Sequence, residues 1–360
     1  YIMALLSAFV VIFELPSGIL SDRMGRKKIY LLSLVIFFLS LIVVLFSHRF
    51  ITLGIGFSLF GLARAFSSGS IESDFVDEHI AKRGKESLHK MIMGMNIGET
   101  LGLAIGALIG GLLPQLWVRL FPTDNMYNGN IIVQMIIIII LLIITALTHA
   151  SKLPPKHEKI GEFLADSFAL VKSNKVIRLL LVGILLWGFS FNAIELYWQP
   201  ALKNILASEN QIWLFGALNS GYFLMAVIGT LAFGAVISLF KMTHLFAAGV
   251  LKIVVGVLVI VLAFQSQFIG FSILFLLIMG FNGMVTVPES TVLNLEIPED
   301  KRSSLLSLSS LVMQIGAITA AVVFSIIISR TTISIIWIIA GIVFTCSAAL
   351  YFYLDSMKRE

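Results

Sequence analysis

The chain has 360 residues, of which 58% are hydrophobic and only 12% charged, and its mean hydropathy is +1.00. A soluble domain carries about 45–50% apolar and about 25% charged residues, so the charges here cannot cover a globule, while abundant Leu, Ile, Val and Phe exclude a disordered chain. The single cysteine, Cys346, permits neither an intrachain disulfide nor a cysteine-based zinc site. This is the composition of an integral membrane protein.

A helix needs about 20 mostly apolar residues to cross a hydrocarbon core of roughly 30 Å. Eleven stretches meet that need, near 1–20, 29–47, 51–75, 91–113, 131–148, 177–200, 212–239, 245–264, 268–293, 305–328 and 335–354. Barrel strands would alternate polar and apolar residues; the run 135–145, Met-Ile-Ile-Ile-Ile-Ile-Leu-Leu-Ile-Ile-Thr, does not. These runs predict an all-α membrane fold.

Lys and Arg collect on the cytoplasmic side of a membrane protein. Of the 25, nineteen lie in the connections after odd-numbered stretches or in the C-terminal tail, four lie in the opposite connections, and Arg64 and Lys252 lie within spans. The C-terminus is therefore expected in the cytoplasm of a cell whose cytoplasmic membrane holds the protein. An odd span count then places Tyr1 outside, and a further helix is expected before it. The net charge of +5 expresses this bias and calls for no nucleic acid.

The longest polar connection divides five spans from six. It predicts an N-terminal bundle over 1–148, a linker over 149–176 and a C-terminal bundle over 177–360. Within the linker, 162–171 repeats apolar residues at helical spacing and reads as an amphipathic surface helix. Glu72, Asp77 and Ile80 recur as Glu289, Asn294 and Ile297 at a constant offset of 217, which supports a repeat six helices long.

Ionisable groups inside spans are expensive and are functional candidates by default. Glu14 lies just before Pro16 near the end of its span; Glu99 lies ~12 Å into its own, and Arg64 ~20 Å from the outer end of its span. Each acid reads either as a carrier of the coupling proton, biased by Arg64, or as a permanently neutral acid bonded to a neighbouring helix. Arg64 reads equally as a tie between helices. Glu72, Asp74, Glu195 and Glu289, nearer span ends, read as interfacial or gating groups, and Lys252, with its long stem, as snorkelling to the surface. Asn96, Asn192, Tyr197, Asn219, Tyr222 and Asn282 read as cavity-lining groups. All six histidines fall in loops or at span ends, and neither a phosphate-cradling glycine loop nor a nucleophile–histidine set is visible. No metal, cofactor, ATP drive or enzyme chemistry is expected.

The connection after the first span reads Gly18-Ile-Leu-Ser-Asp22-Arg23-Met-Gly25-Arg26-Lys27-Lys28. It resembles the G-x-L-x-D-R-x-G-R-K signature between the second and third helices of the major facilitator superfamily. Arg64 resembles the arginine of the family's fourth-helix signature R-x-x-Q-G, although here Ala-Phe-Ser-Ser-Gly69 comes after it. Gly102-x-x-x-Gly106-Ala107-x-x-Gly110-Gly111 resembles the fifth-helix signature of drug–proton antiporters, with Ala107 in place of proline; the same glycines also read as plain helix packing.

The resemblance implies a carrier of two six-helix bundles, eleven of its twelve helices lying in this chain, that works in the lipid bilayer by alternating access on a small-molecule substrate, with protons as coupling ions, and as a monomer. It implies that the loop is a gate, in which Arg26 pairs with Asp77 or Asp74 and Asp22 faces the helix start near 303–305. Proton-coupled efflux of lipophilic or amphipathic compounds is the first expectation, drawn from the glycine stripe and the buried acids. Transport of a metabolite or nutrient is the second, and a non-transporting receptor or scaffold the third.

Overall fold

The structure, a computed structural model, describes residues 2–68, 75, 78–79, 82–83, 88–121, 125–147, 170–206, 211–297 and 302–359. Among these the chain forms eleven long α-helices: α1 Ile2–Met24, α2 Arg26–Leu45, α3 Phe50–Ser67, α4 Leu88–Leu120, α5 Asn128–Leu147, α6 Lys175–Ile205, α7 Trp213–Phe240, α8 His244–Leu262, α9 Phe268–Glu296, α10 Arg302–Ile328 and α11 Ile333–Arg359. Ten are long and apolar enough to cross a membrane; α1 carries Glu14 and Pro16, and its apolar part, Leu5–Glu14, is shorter. No strand occurs among the described residues, as the unalternating apolar runs require. Within the stretch read as 51–75, α3 ends at Ser67; the residues beyond Ser68, Asp74 and Asp77 included, lie mostly outside the described ones. So do all but the last two residues of the amphipathic stretch 162–171.

Helix boundaries have local causes. Asn174 starts α6 by accepting the backbone N–H groups of Val176 and Ile177 at 2.8 and 3.2 Å on its side-chain oxygen, satisfying donors that a helix start leaves open. Thr243 does the same for α8 through the N–H of Phe246 at 3.1 Å. Lys241, with φ at 48°, turns the chain out of α7.

The chain divides into two compact units, Tyr1–Glu99 with Leu112–Ile160, and Thr100–Gly111 with Gly161–Glu360. In lipid, apolar helices gain no hydrophobic energy by pairing, so association depends on close backbone approach at small residues and on hydrogen bonds. In the first unit α3 packs on α1 and α2, and α2 on α5. A Cβ on Gly61 would sit 2.5 Å from the Leu6 carbonyl oxygen. The Ser17 hydroxyl donates to Ala65 O at 2.8 Å and that of Ser40 to Gly56 O at 2.9 Å.

The second unit repeats this device in three helix pairs. Between α6 and α10, Gly188 faces the Met313 carbonyl and Gly316 that of Leu185; between α7 and α9, Gly229 faces the Gly280 carbonyl and Gly283 that of Ala226. Between α8 and α11, a Cβ on either Gly256 or Gly341 would lie 2.6 Å from the other's carbonyl oxygen. Around these crossings Phe271, Phe275, Phe324 and Phe344 are fully buried, and the Trp337 indole donates to Ala193 O at 3.2 Å. The last turns of α11 then fasten the unit. Tyr351 donates to Glu289 of α9, Tyr353 accepts from Lys175 of α6, Asp355 accepts from Thr243 at the start of α8, and Lys358 pairs with Glu296 of α9.

A side chain at one of these crossings has no room. Gly229→Leu is expected to cost about 1–3 kcal/mol by overpacking, whereas Gly234→Leu, with nothing within 4 Å of its Cβ position, is expected to be tolerated. Thermal unfolding in detergent distinguishes them; equal stability of the two variants would contradict the α7–α9 crossing.

Candidate functional site

In the first unit the signature loop is built around Gly25. Its φ of 96° lies where L side chains are strained, and its N–H donates to Ser21 O at 3.0 Å, closing α1 as α2 opens. The Lys27 ammonium donates to Ala146 O at 2.9 Å, placing a cation on the last turn of α5, where the helix dipole favours one. Gly18, Asp22 and Arg23 lie within α1, and Arg26 is the first residue of α2. Its expected partners, Asp74 and Asp77, lie outside the described residues.

Near the other candidates α3 presents Arg64 and Ser68 one turn apart. The Glu14 carboxylate of α1 is hydrogen-bonded to the Ser68 side chain and within coulombic reach of Arg64, while its Oε2 is buried without a partner. Acid and base therefore meet across α1 and α3. Glu99 and Asn96 lie instead on an exposed stretch of α4. Of the four stripe glycines, Gly111 makes a close approach, with the Gly216 Cα 2.5 Å from its Cβ position, whereas Gly102, Gly106 and Gly110 have nothing within 4 Å of theirs.

In the second unit Trp187, Phe191, Glu195 and Trp198 recur along one face of α6. The Trp187 indole donates to Asn282 Oδ1 of α9 at 2.8 Å, and its ring stacks on Phe191 with centroids 5.0 Å apart. The Tyr222 hydroxyl of α7 donates to the Glu195 carboxylate. Trp198 stacks on Phe275 at 5.0 Å, and Tyr222 meets the same ring edge-on at 6.3 Å. Glu195 keeps exposed surface beside the Tyr222 hydroxyl. Asn192 Oδ1 is buried without a partner. Tyr197 packs on the aromatic core and Asn219 is half-buried on α7. Of the six expected cavity residues, Asn282 and Tyr222 thus enter one polar and aromatic cluster. Trp187 was not among those expected; the signal for it was an indole in mid-span, whose N–H needs a partner in hydrocarbon.

Two expectations are corrected by the second unit. Lys252 does not snorkel: its side chain is 0% exposed, and Nζ lies 2.8 Å from Glu289 Oε1. Glu289 is not an interfacial group; its side chain is 11% exposed, and the same Oε1 accepts the Tyr351 hydroxyl. The Lys252 contact is a charge pair without the alignment of a hydrogen bond. The ammonium is completed by the faces of Phe344 and Tyr351, 5.0 and 4.8 Å from their centroids, and Gly183 of α6 leaves room for the phenol. The cause of the correction is direction. Lys252 points toward α9 and α11 from the middle of α8, ~12 Å from the helix start, too deep for its stem to serve the surface.

Removing one partner of a buried ion pair leaves an uncompensated charge, whereas removing both is often nearly neutral. Lys252→Met is expected to destabilise the protein by about 3–5 kcal/mol at neutral pH, and the Lys252→Met/Glu289→Met double variant by much less. Unfolding of the four proteins in one detergent measures this cycle; strictly additive losses would mean that the two groups do not interact.

Known proteins match this architecture. The family model of the Major Facilitator Superfamily matches residues 1–209. The crystal structure of the nucleoside transporter NupG superposes with a TM-score of 0.72 at 16% identity, covering 100% of this chain and 89% of that one. The E. coli fucose:proton symporter FucP gives a TM-score of 0.58 at 15% identity, covering 97% and 90%. No curated protein matches the chain in sequence. With the signature loop at the α1–α2 turn, a family model spanning more than half of the chain and a shared helical fold, this chain belongs to the major facilitator superfamily.

Proposed function

We propose that the chain is a proton-coupled transporter of a small, polar, ring-bearing metabolite, with 1–148 and 177–360 as the two bodies of an alternating-access cycle and the C-terminus in the cytoplasm. The observation that carries this reading is the cluster of Trp187, Asn282, Glu195 and Tyr222, in which hydrogen-bonding groups sit among flat aromatic rings. Rings offer stacking surface, and amide, phenol and carboxylate fix polar substituents; such a mixture suits a sugar or a nucleoside better than an aliphatic amphiphile. The likeness in fold to a nucleoside transporter and a fucose:proton symporter points the same way. Drug efflux drew on the glycine stripe and the buried acids; of the stripe, Gly111 makes a close approach while Gly102, Gly106 and Gly110 have nothing within 4 Å of their Cβ positions, and buried acids serve either direction of transport.

In this reading Glu14 takes the coupling proton. It lies beside a cation, Arg64, and a hydroxyl, Ser68, and has one oxygen free of partners, so either protonation state can be held and the balance shifts when α1 moves against α3. The signature loop, from Gly18 through Asp22, Arg23 and Gly25 to Arg26, serves as the gate.

Proteoliposomes with an imposed proton gradient test the proposal against a panel of nucleosides, monosaccharides and amphipathic dyes. Accumulation of a nucleoside or sugar, with proton movement in the same direction, is expected; gradient-driven extrusion of dyes alone would overturn it. Asn282→Leu, which strands the Trp187 N–H, is expected to weaken apparent substrate affinity about tenfold, in line with about 1–3 kcal/mol for an orphaned buried donor. Glu14→Gln is expected to keep downhill exchange and to lose accumulation against a gradient.

A further inference from the structure

Lys252, Glu289 and Tyr351 lie about 10 Å further along α9 than Asn282, away from the groups assigned above. The two charged members differ in enclosure. The ammonium is wholly enclosed, whereas the carboxylate keeps 11% of its surface. The residue after it, Ser290, lines a cleft of about 400 Å³ with Thr291, Asn294 and Leu295. The acid is thus the member of the pair that keeps an accessible edge.

The hold on Lys252 is also lopsided. Its ammonium has one carboxylate oxygen and two ring faces, which attract a cation without accepting its protons. Glu289 has a second partner on the same oxygen, the Tyr351 hydroxyl, and retains it when the ammonium leaves. Other ionisable groups on the neighbouring helices are engaged elsewhere: on α11, Asp355 with Thr243 and Lys358 with Glu296; on α6, Lys175 with Tyr353 and Arg178 with Lys172 O; on α7, Tyr222 with Glu195. His244, on α8, stacks on Phe233. Among the described residues, Lys252 and Tyr351 are the groups that face the acid.

We propose that Glu289 is a second proton-binding site of the transport cycle, occupied by the internal cation Lys252 whenever the proton is absent. The proposal rests on the proton-coupled reading above. In the step, the carboxylate takes one proton from water through its exposed edge and becomes a neutral acid; Lys252 keeps all its protons and no other bond forms or breaks. The site then holds one uncompensated positive charge in apolar surroundings. It is relieved when α8 parts from α9 far enough to hydrate the ammonium, and loss of the proton draws the helices together again. Proton occupancy is thereby converted into movement within this unit.

The infrared band of protonated carboxyl groups, followed through a pH titration of the purified protein in nanodiscs, tests the site without any substrate. In the wild type one component of this band is expected to grow on acidification and to persist in Glu14→Gln. It should be lost in Glu289→Gln and, should that variant fold poorly, in Lys252→Met/Glu289→Gln, which leaves no charge unpaired. In Lys252→Met, where the acid has lost its counter-charge, the band is expected already at neutral pH. An identical band in the variants lacking Glu289, or no effect of Lys252→Met, would overturn the proposal even if proton-driven flux is found. Flux indifferent to a proton gradient, with the Glu289 band intact, would instead remove the coupled-transport reading and with it the place of this site in a cycle.

Discussion

The closeness of α8 to α11 at Gly256 and Gly341 governs most of what the second unit can do. Two apolar helices in lipid gain little by touching unless their backbones come near enough for dense packing, and at this crossing neither residue has a side chain to keep them apart. One turn from Gly256 on α8 stands Lys252; one turn from Gly341 on α11 stands Phe344, with Tyr351 further along the same helix. The ring faces that enclose the ammonium are therefore delivered by the backbone contact. The carboxylate comes from α9, which packs on α8. Bulk at the glycines would move the rings before it disturbed the charges.

The two units handle intramembrane charge differently. In the first, Glu14 and Arg64 belong to neighbouring helices, with Ser68 bonded to the acid, Arg64 exposed and one acid oxygen unpartnered. In the second, Lys252 and Glu289 are in direct contact and nearly enclosed. An open arrangement changes its protonation with little rearrangement. A closed one changes it only if the helices move, since a charge bared in a low-dielectric site is costly.

Much of the fold was legible because the bilayer permits few solutions: apolar runs of sufficient length became helices, and the Gly18–Lys28 motif fell at the turn between two of them. The site was legible in part. Glu14 and Arg64 stood out as charges in apolar runs, and the structure brings them together; Asn282 and Tyr222 stood out as polar groups in mid-span, and each has found a partner. Lys252 was misread because depth along a helix is a one-dimensional measure. It says how far a stem must reach, but the direction of the side chain depends on α9 and α11, whose contributions lie 37 and 99 residues further along the chain. The glycines at 102 and 106 show the converse: spacing alone gave them a packing role, and packing depends on what stands opposite.

The fastening of the second unit by the end of α11 bears on how the protein is made. Helices enter the bilayer in the order of synthesis, so α8 arrives with Lys252 before α9 brings its carboxylate, and long before α11 brings the rings. Inserting a lysine at mid-helix costs about 2.5–3.5 kcal/mol on the translocon scale, which the apolar remainder of α8 easily offsets, so the helix goes in while its ammonium has no partner. Until Glu289 of α9 docks, a nascent chain displays to the membrane a bare cation, and until Tyr351 of α11 follows, one that is only half enclosed. Quality-control proteases that recognise polar groups in lipid have, in that interval, a chemical criterion for telling an unfinished transporter from a finished one.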